Sequence, residues 1–228
     1  MDDVDIPAIR DVIARYDFRA KKSLGQNFLT DRHIADRIVA HAGDITQHHI
    51  IEIGPGPGGL TQAILAARPK SLTVIDPDER AIAAMQELAA LSTTPMHIHL
   101  SDATMIELDN LVPPPRAIIA NLPYNVGTKL LNDWLDQAQD FSQMILMFQR
   151  EVGERITAKS GEKAYSRLSV ISNYLCDTEL LMTLPPDVFV PKPKVHSTLV
   201  HLVPKENPMP PCSLVHLRSV VATCFQKR

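Results

Sequence analysis

Four residues near the middle of the chain, Asn121-Leu122-Pro123-Tyr124, have the chemistry to handle the amino group of a base. Such a nitrogen is a poor nucleophile because its lone pair is delocalised into the ring, so it must become more tetrahedral before it can attack. The side-chain oxygen of Asn121 and a main-chain carbonyl, assigned here to Leu122, can accept its two hydrogens and favour that geometry. Both acceptors bind more strongly as positive charge grows on the nitrogen, which stabilises the transition state. Pro123 fixes the turn that aims the carbonyl, and Tyr124 offers a ring on which a base can stack. No acid, metal or covalent nucleophile is required, because positioning supplies much of the rate. A chance tetrapeptide in an ordinary loop is the plain alternative, and what precedes it in the chain argues against that.

The preceding run, Ile51-Glu52-Ile53-Gly54-Pro55-Gly56-Pro57-Gly58-Gly59-Leu60-Thr61, follows an apolar strand and opens a helix. Glycines there let the backbone turn tightly and approach a ligand with no Cβ in the way. Dinucleotide-binding proteins share this loop, so the loop alone is a weak signal. Glu52, two residues before Gly54, adds a carboxylate that can order water near an ammonium group. Asp76 ends the next strand and offers two acceptor oxygens to two vicinal ribose hydroxyls. Asp102, in Ser101-Asp102-Ala103, ends the strand after that, where a carboxylate can accept from an adenine amino group. A nicotinamide dinucleotide would account for the glycines and Asp76 but gives no reason for Asn121-Leu122-Pro123-Tyr124. The set as a whole points to S-adenosyl-L-methionine as cofactor and an amino nitrogen as acceptor.

These residues need a framework that brings successive strand ends together. Apolar runs at His49–Ile53, Leu72–Ile75, Met96–Leu100, Arg116–Ala120 and Met144–Phe148 predict strands. Helical patterns fall at 6–19, from the N-cap Asp31 through Ala42, at Leu60–Ala67 and at Asp78–Leu91. Such alternation implies an α/β fold, a mostly parallel sheet with helices on both faces. Glu179–Leu184 and Thr198–Val203 read as a late antiparallel pair at the sheet's edge, joined by the proline-rich stretch Pro185 to Pro193. Pro204–Pro211 reads as a linker, and Ser213–Phe225 as a helix without a partner of its own.

Bulk properties narrow the class. At 45% hydrophobic and 21% charged residues, the chain can bury a real core. No apolar run suggests a membrane span, and the acidic start Met1–Ile6 lacks the order of a signal peptide, so a cytoplasmic location is expected. Cys176, Cys212 and Cys224 are far apart and form no CxxC pair, which predicts reduced thiols. His48 with His49, and His97 with His99, read as solvent-facing histidines; no metal site is expected. The net charge of −3 is unusual for a nucleic-acid partner. Local clusters run the other way: Arg15, Arg19, Lys21 and Lys22, then Lys159, Lys163 and Arg167, then Lys192 and Lys194.

Six blocks taken in order resemble the KsgA-type ribosomal RNA adenine dimethyltransferases over nearly the whole chain. They are Lys22–Leu29, the glycine loop through Thr61, Asn121–Asn125, Phe148–Val152, Ala164–Val170 and Phe189–Val195. The resemblance implies a class I S-adenosylmethionine-dependent, Rossmann-like methyltransferase fold with a smaller helical C-terminal domain. It implies N6-dimethylation of two adjacent adenosines in a 3′-terminal hairpin of 16S rRNA within the small ribosomal subunit, by a monomer with no membrane partner. Carried over by motif, Gln26, Asn27 and Leu29 would lie against the methionine end of the cofactor. Gly54 and Gly56 would line it, Asp76 would hold its ribose, and Asp102 with Ala103 its adenine. Asn121 would bind the target amino group beside the cofactor, with Leu122 and Pro123, while Tyr124 and Phe189 pack against the target base. The implied layout is an N-terminal segment 1–30, a methyltransferase domain 31–204, a linker 205–211, and the start of a truncated helical domain at 212–228. Two departures stand out: Asp76 where Glu is frequent in the family, and His196 where many relatives carry Asp.

Overall fold

The computed structural model describes residues 6–18 and 27–226. Five parallel strands form its centre: β2 (His49–Ile53), β3 (Ser71–Asp76), β4 (Met96–Leu100), β5 (Arg116–Asn121) and β6 (Gln143–Gln149). With β7 (Cys176–Leu184) and β9 (Ser197–Pro204) the sheet runs in the order β4-β3-β2-β5-β6-β9-β7. A second sheet pairs β1 (Phe28–Leu29) antiparallel with β8 (Phe189–Val190).

Strand side chains alternate between faces, and here each face carries its own apolar cluster. Ile50, Leu72, Val74, Ala117, Ile119 and Ile145 pack on one side, under α2 (Arg32–Ala40), α3 (Gly59–Ala66) and α4 (Glu79–Leu91). Ile51, Ile75, Ile118, Ala120, Met144 and Leu146 pack on the other, against α6 (Gly127–Asp136) and α8 (Arg167–Leu175). Burial on both faces explains why these strands read as continuous apolar runs rather than alternating ones. The expected caps form. Asp31 accepts from the backbone N–H of Ile34 at 3.2 Å, and Asp78 from that of Arg80 at 3.1 Å.

The structure refines the sequence expectations at several points. The N-terminal helix α1 is shorter than 6–19 and covers Ile9–Arg15. In the late strand pair, β9 is inserted antiparallel between β6 and β7, so β7 alone is the outer edge. Additional helices include α6, with Leu130, Leu131, Trp134 and Leu135 spaced one turn apart, and the more polar α7 (Arg150–Thr157), which buries only Gly153 and Ile156. A short α5 (Leu108–Leu111) follows β4. Helix α9 (Leu214–Cys224) does have partners. Arg218 meets Asp136 of α6 at 2.6 Å, Leu214 and Leu217 pack on the apolar cluster beneath α6 and α8, and Phe225 lies 6.1 Å from the Tyr165 ring.

Candidate active site

At the carboxyl ends of β2 to β5 the loops enclose a cavity, and most of the chemistry predicted above faces it. Gly54 and Gly56 turn the chain after β2 with φ of +70° and +53°, a region that side chains other than glycine rarely occupy. A Cβ on Gly56 would also stand 2.8 Å from the Phe28 ring, so β1 can close over the loop only because that residue is glycine. On its other side the loop meets the reacting motif, since a Cβ on Gly54 would lie 3.7 Å from Pro123. The glycine loop after β2 and the Asn121–Tyr124 loop after β5 therefore border one another at the wall of the same cavity.

Asn121 closes β5. Its Nδ2 donates to the main-chain carbonyl of Asn27 at 2.9 Å. A carbonyl only accepts, so this bond fixes which end of the amide faces Asn27 and leaves Oδ1 as the acceptor on the opposite side. That is the orientation required for accepting a hydrogen from an amino group. Leu122 is buried at 2% exposure, which holds the main chain of the motif in place. The Tyr124 hydroxyl lies 2.6 Å from Ser197 Oγ at the start of β9, and Ser197 is fully buried. Burial raises the Tyr124 phenol above its usual range, with the Ser197 bond opposing. The ring lines the cavity with its far end tethered.

Three carboxyl groups serve the other half. Asp76 is 3% exposed; its Oδ1 accepts from the N–H of Asp78 at 2.9 Å and its Oδ2 from that of Gly56 at 3.4 Å. Burial pushes its pKa up to about 6 against these two donors. Glu52 is 1% exposed and is pushed up to about 8, chiefly by burial; the nearby Thr61 hydroxyl opposes the shift and the Asp76 charge adds to it. Glu52 Oε2 and Thr61 Oγ1 are buried without a hydrogen-bond partner. Asp102 sits on the exposed rim, accepts from the N–H of Thr104 at 2.8 Å, and is held below the usual carboxylate range by that bond.

Of the residues singled out by sequence, Asn27, Leu29, Gly54, Gly56, Asp76, Asp102, Ala103, Asn121, Leu122, Pro123 and Tyr124 line this one cavity. Gln26 falls outside the described residues. Phe189 is elsewhere: it is 2% exposed, pairs with Leu29 across β1 and β8, and belongs to the apolar core rather than to the cavity wall. Phe28, Ile53, Ile75 and Leu130 also line the cavity, and only their apolar character in strands and a helix marks them in the sequence.

The site suits S-adenosyl-L-methionine by its own geometry. The backbone at Gly54 and Gly56 leaves room that a side chain would fill, Asp76 presents a buried acceptor pair, and Glu52 offers an unpartnered carboxyl oxygen to a cationic group. Among the described residues no group of His, Cys, Asp and Glu side chains is arranged to hold a metal ion.

The sequence profile of the family described as "Ribosomal RNA adenine dimethylase" matches residues 17–228. The chain is 47% identical to the ribosomal RNA small subunit methyltransferase A of Paracoccus denitrificans over 227 residues, 98% of this chain and 80% of that protein. It is 43% identical to the protein of the same name from Gluconobacter oxydans, over 99% of this chain and 75% of that one. Among solved structures, a dimethyladenosine transferase from Plasmodium falciparum superposes with a TM-score of 0.79 at 27% identity, covering 88% of this chain and 71% of that one. The 23S rRNA methyltransferase ErmE superposes with a TM-score of 0.72 at 27% identity, covering 87% and 79%.

Proposed function

The chain belongs to the ribosomal RNA adenine dimethylase family, and from that premise we propose that it methylates N6 of two adjacent adenosines in the 3′-terminal hairpin of 16S rRNA, within the small ribosomal subunit. At the coarser level it is an rRNA adenine dimethyltransferase with a class I methyltransferase fold, and fold and family imply use of S-adenosylmethionine. The observation that carries the reading is the Asn121 amide, turned by the Asn27 carbonyl so that its oxygen is left to accept from an amino group.

In the proposed mechanism Asn121 Oδ1 and the Leu122 carbonyl accept the two hydrogens of the adenine amino group and draw the nitrogen toward tetrahedral geometry. Tyr124, tethered through Ser197, supplies the face against which an extruded base stacks. When bound, S-adenosyl-L-methionine supplies an electrophilic methyl group on a sulfonium. Its ribose would be held by Asp76, its adenine by Asp102 and Ala103, and its methionine end by Gln26, Asn27 and Leu29, beside the loop of Gly54 and Gly56. Phe189, buried behind Leu29, serves as the support that seats β1 against this loop and so acts on the base only through β1.

Small-subunit RNA is favoured over large-subunit RNA by the relatives named for the small subunit, 47% and 43% identical, against 27% for ErmE. We further read 31–204 as the catalytic domain, 205–211 as a linker and 212–228 as the opening of a helical domain docked on α6 and α8. A monomer acting in the cytoplasm completes the proposal; among the described residues no helix is long and apolar enough to cross a membrane. The test uses isotopically labelled S-adenosylmethionine and small subunits that lack the modification, with the RNA digested and analysed by mass spectrometry. Labelled N6,N6-dimethyladenosine is the expected product. Label found only on protein-free large-subunit RNA would overturn the small-subunit assignment.

A further inference from the structure

The opposite end of the same sheet carries an unassigned cluster of basic side chains. A groove that starts there, at the amino ends of β2 and β3, and runs along β4 is lined by His49, Lys70, Ser71, His97 and His99, and its far wall is apolar, with Leu111 of α5 and Pro113. Strand geometry explains why they converge. His49 and Ser71 are register partners at the first positions of β2 and β3, and His97 and His99 are alternate residues of β4, so all four point to one face. The His49 Nδ1 and Ser71 Oγ atoms are 2.6 Å apart.

Among the described residues no carboxylate lines this groove, although the chain as a whole has 26 acidic residues to 23 Lys and Arg. Lys70 makes no ion pair among the described residues. Next to the groove, Arg116 opens β5 as the register partner of His49 and is 7% exposed. One of its guanidinium nitrogens donates to the Leu108 carbonyl of α5 at 3.1 Å, while its Nε is buried with no hydrogen-bond partner. A buried guanidinium without an acid is rare, because desolvation of the charge is not offset. The histidines show the same imbalance. His49 is held below its ordinary range by burial, then by Lys70 and His97; His99 is held down by burial, then by His97.

We propose that this groove binds a phosphate-class anion, with Lys70, His49, His97 and His99 as its ligands and Arg116 as the buried positive charge behind them. Imidazole and ammonium N–H groups are the natural donors for phosphate oxygens, and an anion here would offset the cluster's positive charge. A backbone phosphate of the RNA substrate is the favoured source, since the chain acts on RNA and phosphate contacts position RNA without reading its sequence. The groove opens at the amino ends of β2 and β3, where His49 and Lys70 lie, and follows the edge strand β4 as far as His99, the register partner of Ile75, so its His49 end would hold a part of the RNA away from the reacting base. The charged groups facing it are His49 from β2, Lys70 from the turn before β3 and His97 and His99 from β4, with Arg116 of β5 beside them; α5 carries Asp109 and follows Glu107, neither of which lines the groove. An anion here favours protonated imidazoles, so binding tightens as pH falls from 8 to 6.

The test is a titration of the full chain at pH 6 and pH 8 with inorganic phosphate and with sulfate, an oxyanion whose charge is the same at both pH values and which isolates the histidine contribution, following histidine side-chain resonances by NMR. The expected result is saturable shifts of His49, His97 and His99, stronger at pH 6, and reduced in Lys70→Gln and His97→Gln, two exposed positions whose replacement leaves the fold intact. A second arm measures binding of an rRNA hairpin; it rests on the functional reading above, whereas the phosphate arm does not. If the two variants bind the hairpin roughly three- to tenfold more weakly and lower the salt dependence by about one phosphate, the RNA backbone is the ligand. Phosphate shifts with unchanged hairpin binding would assign the groove to a free phosphate or nucleotide. No histidine shift at either pH would overturn the proposal.

Discussion

The two ends of the parallel sheet carry opposite kinds of ionisable side chain. At the carboxyl ends, Glu52 and Asp76 are buried, no positive side chain among the described residues lines their cavity, and Asp102 stands at its rim. Toward the amino ends, Arg116 is buried, and Lys70 and the histidines share a groove that no acid among the described residues lines. Both arrangements are poor ways to stabilise a fold: Arg116 is a buried cation with no acid beside it among the described residues, and burial of Glu52 holds its proton on up to about pH 8. Both make sense as halves of interactions whose other half is a ligand. The carboxyl end suits a cation and hydroxyl donors; the amino end suits an anion. The comparison separates the two sites experimentally, because a change at one end should leave binding at the other unaltered.

The largest expected effect lies at the carboxyl end. Asn121→Ala removes the acceptor aimed at the amino group and should cut turnover by about a thousandfold, while calorimetry finds cofactor affinity nearly unchanged. Loss of cofactor binding with normal turnover per bound enzyme would contradict its role. Asn121→Asp sharpens the point. Its carboxylate would face the Asn27 carbonyl, acceptor against acceptor, unless protonated. Residual turnover of this variant should therefore rise as pH is lowered, opposite to any trend from general loss of structure. A variant as active as the native enzyme at pH 8 would show that the Asn27 contact does not set the orientation.

Asp76→Ala should be next in size. It removes the partners of the Gly56 and Asp78 N–H groups as well as the proposed ribose acceptor. Cofactor affinity should fall about a hundredfold, with kcat at saturation little altered and phosphate titration of the amino-end groove unaffected. A change in the groove would break the separation of the two ends.

Glu52 gives a pH signature. Its folded pKa of about 8 lies above the ordinary value of 4.5, so the folded protein holds a proton that the unfolded chain has lost between those limits. Stability from this group is therefore full below about pH 4.5 and declines as pH rises toward 8. Glu52→Gln should flatten that decline in urea titrations across the same range. A cationic ligand beside Glu52 should also displace the proton, so the enthalpy of cofactor binding at pH 7 should depend on the buffer's ionisation enthalpy in the native protein and not in Glu52→Gln. A slope and a buffer dependence that both survive the substitution would place the proton elsewhere.

What could be read in the sequence follows the range of the interactions. Asn121–Tyr124, the glycine loop, Asp76 and Asp102 each sit at the end of a strand, so strand prediction alone delivers them to one edge of the sheet. The Asn27 contact that orients Asn121 spans 94 residues and uses a main-chain carbonyl, which no residue type reveals. Phe189 shows the opposite difficulty. Its aromatic type and neighbouring motif fit a base-stacking surface, but pairing with Leu29 places it in the core. The partners of α9 were illegible for a similar reason: Asp136 lies 82 residues before Arg218. Sequence also reads His49, His97 and His99 as ordinary surface histidines; only strand register puts them in one groove.

The smallest predicted effect is at the amino end, and its sign is the informative part. Arg116 is as deeply buried as the core, so a paired arginine there would cost several kcal/mol to remove. Among the described residues it has no acidic partner, and one side-chain bond, to the Leu108 carbonyl, is lost when it is replaced. Arg116→Met keeps most of the side-chain volume and relieves an uncompensated desolvated charge. Its urea unfolding free energy should fall within about 1 kcal/mol of the native value, on either side. Cofactor affinity should not move, whereas phosphate affinity in the groove should drop at both pH values. A loss of more than about 2 kcal/mol would mean that the guanidinium is already balanced within the protein. The contrast between the two ends of the sheet would then reduce to the carboxyl end alone.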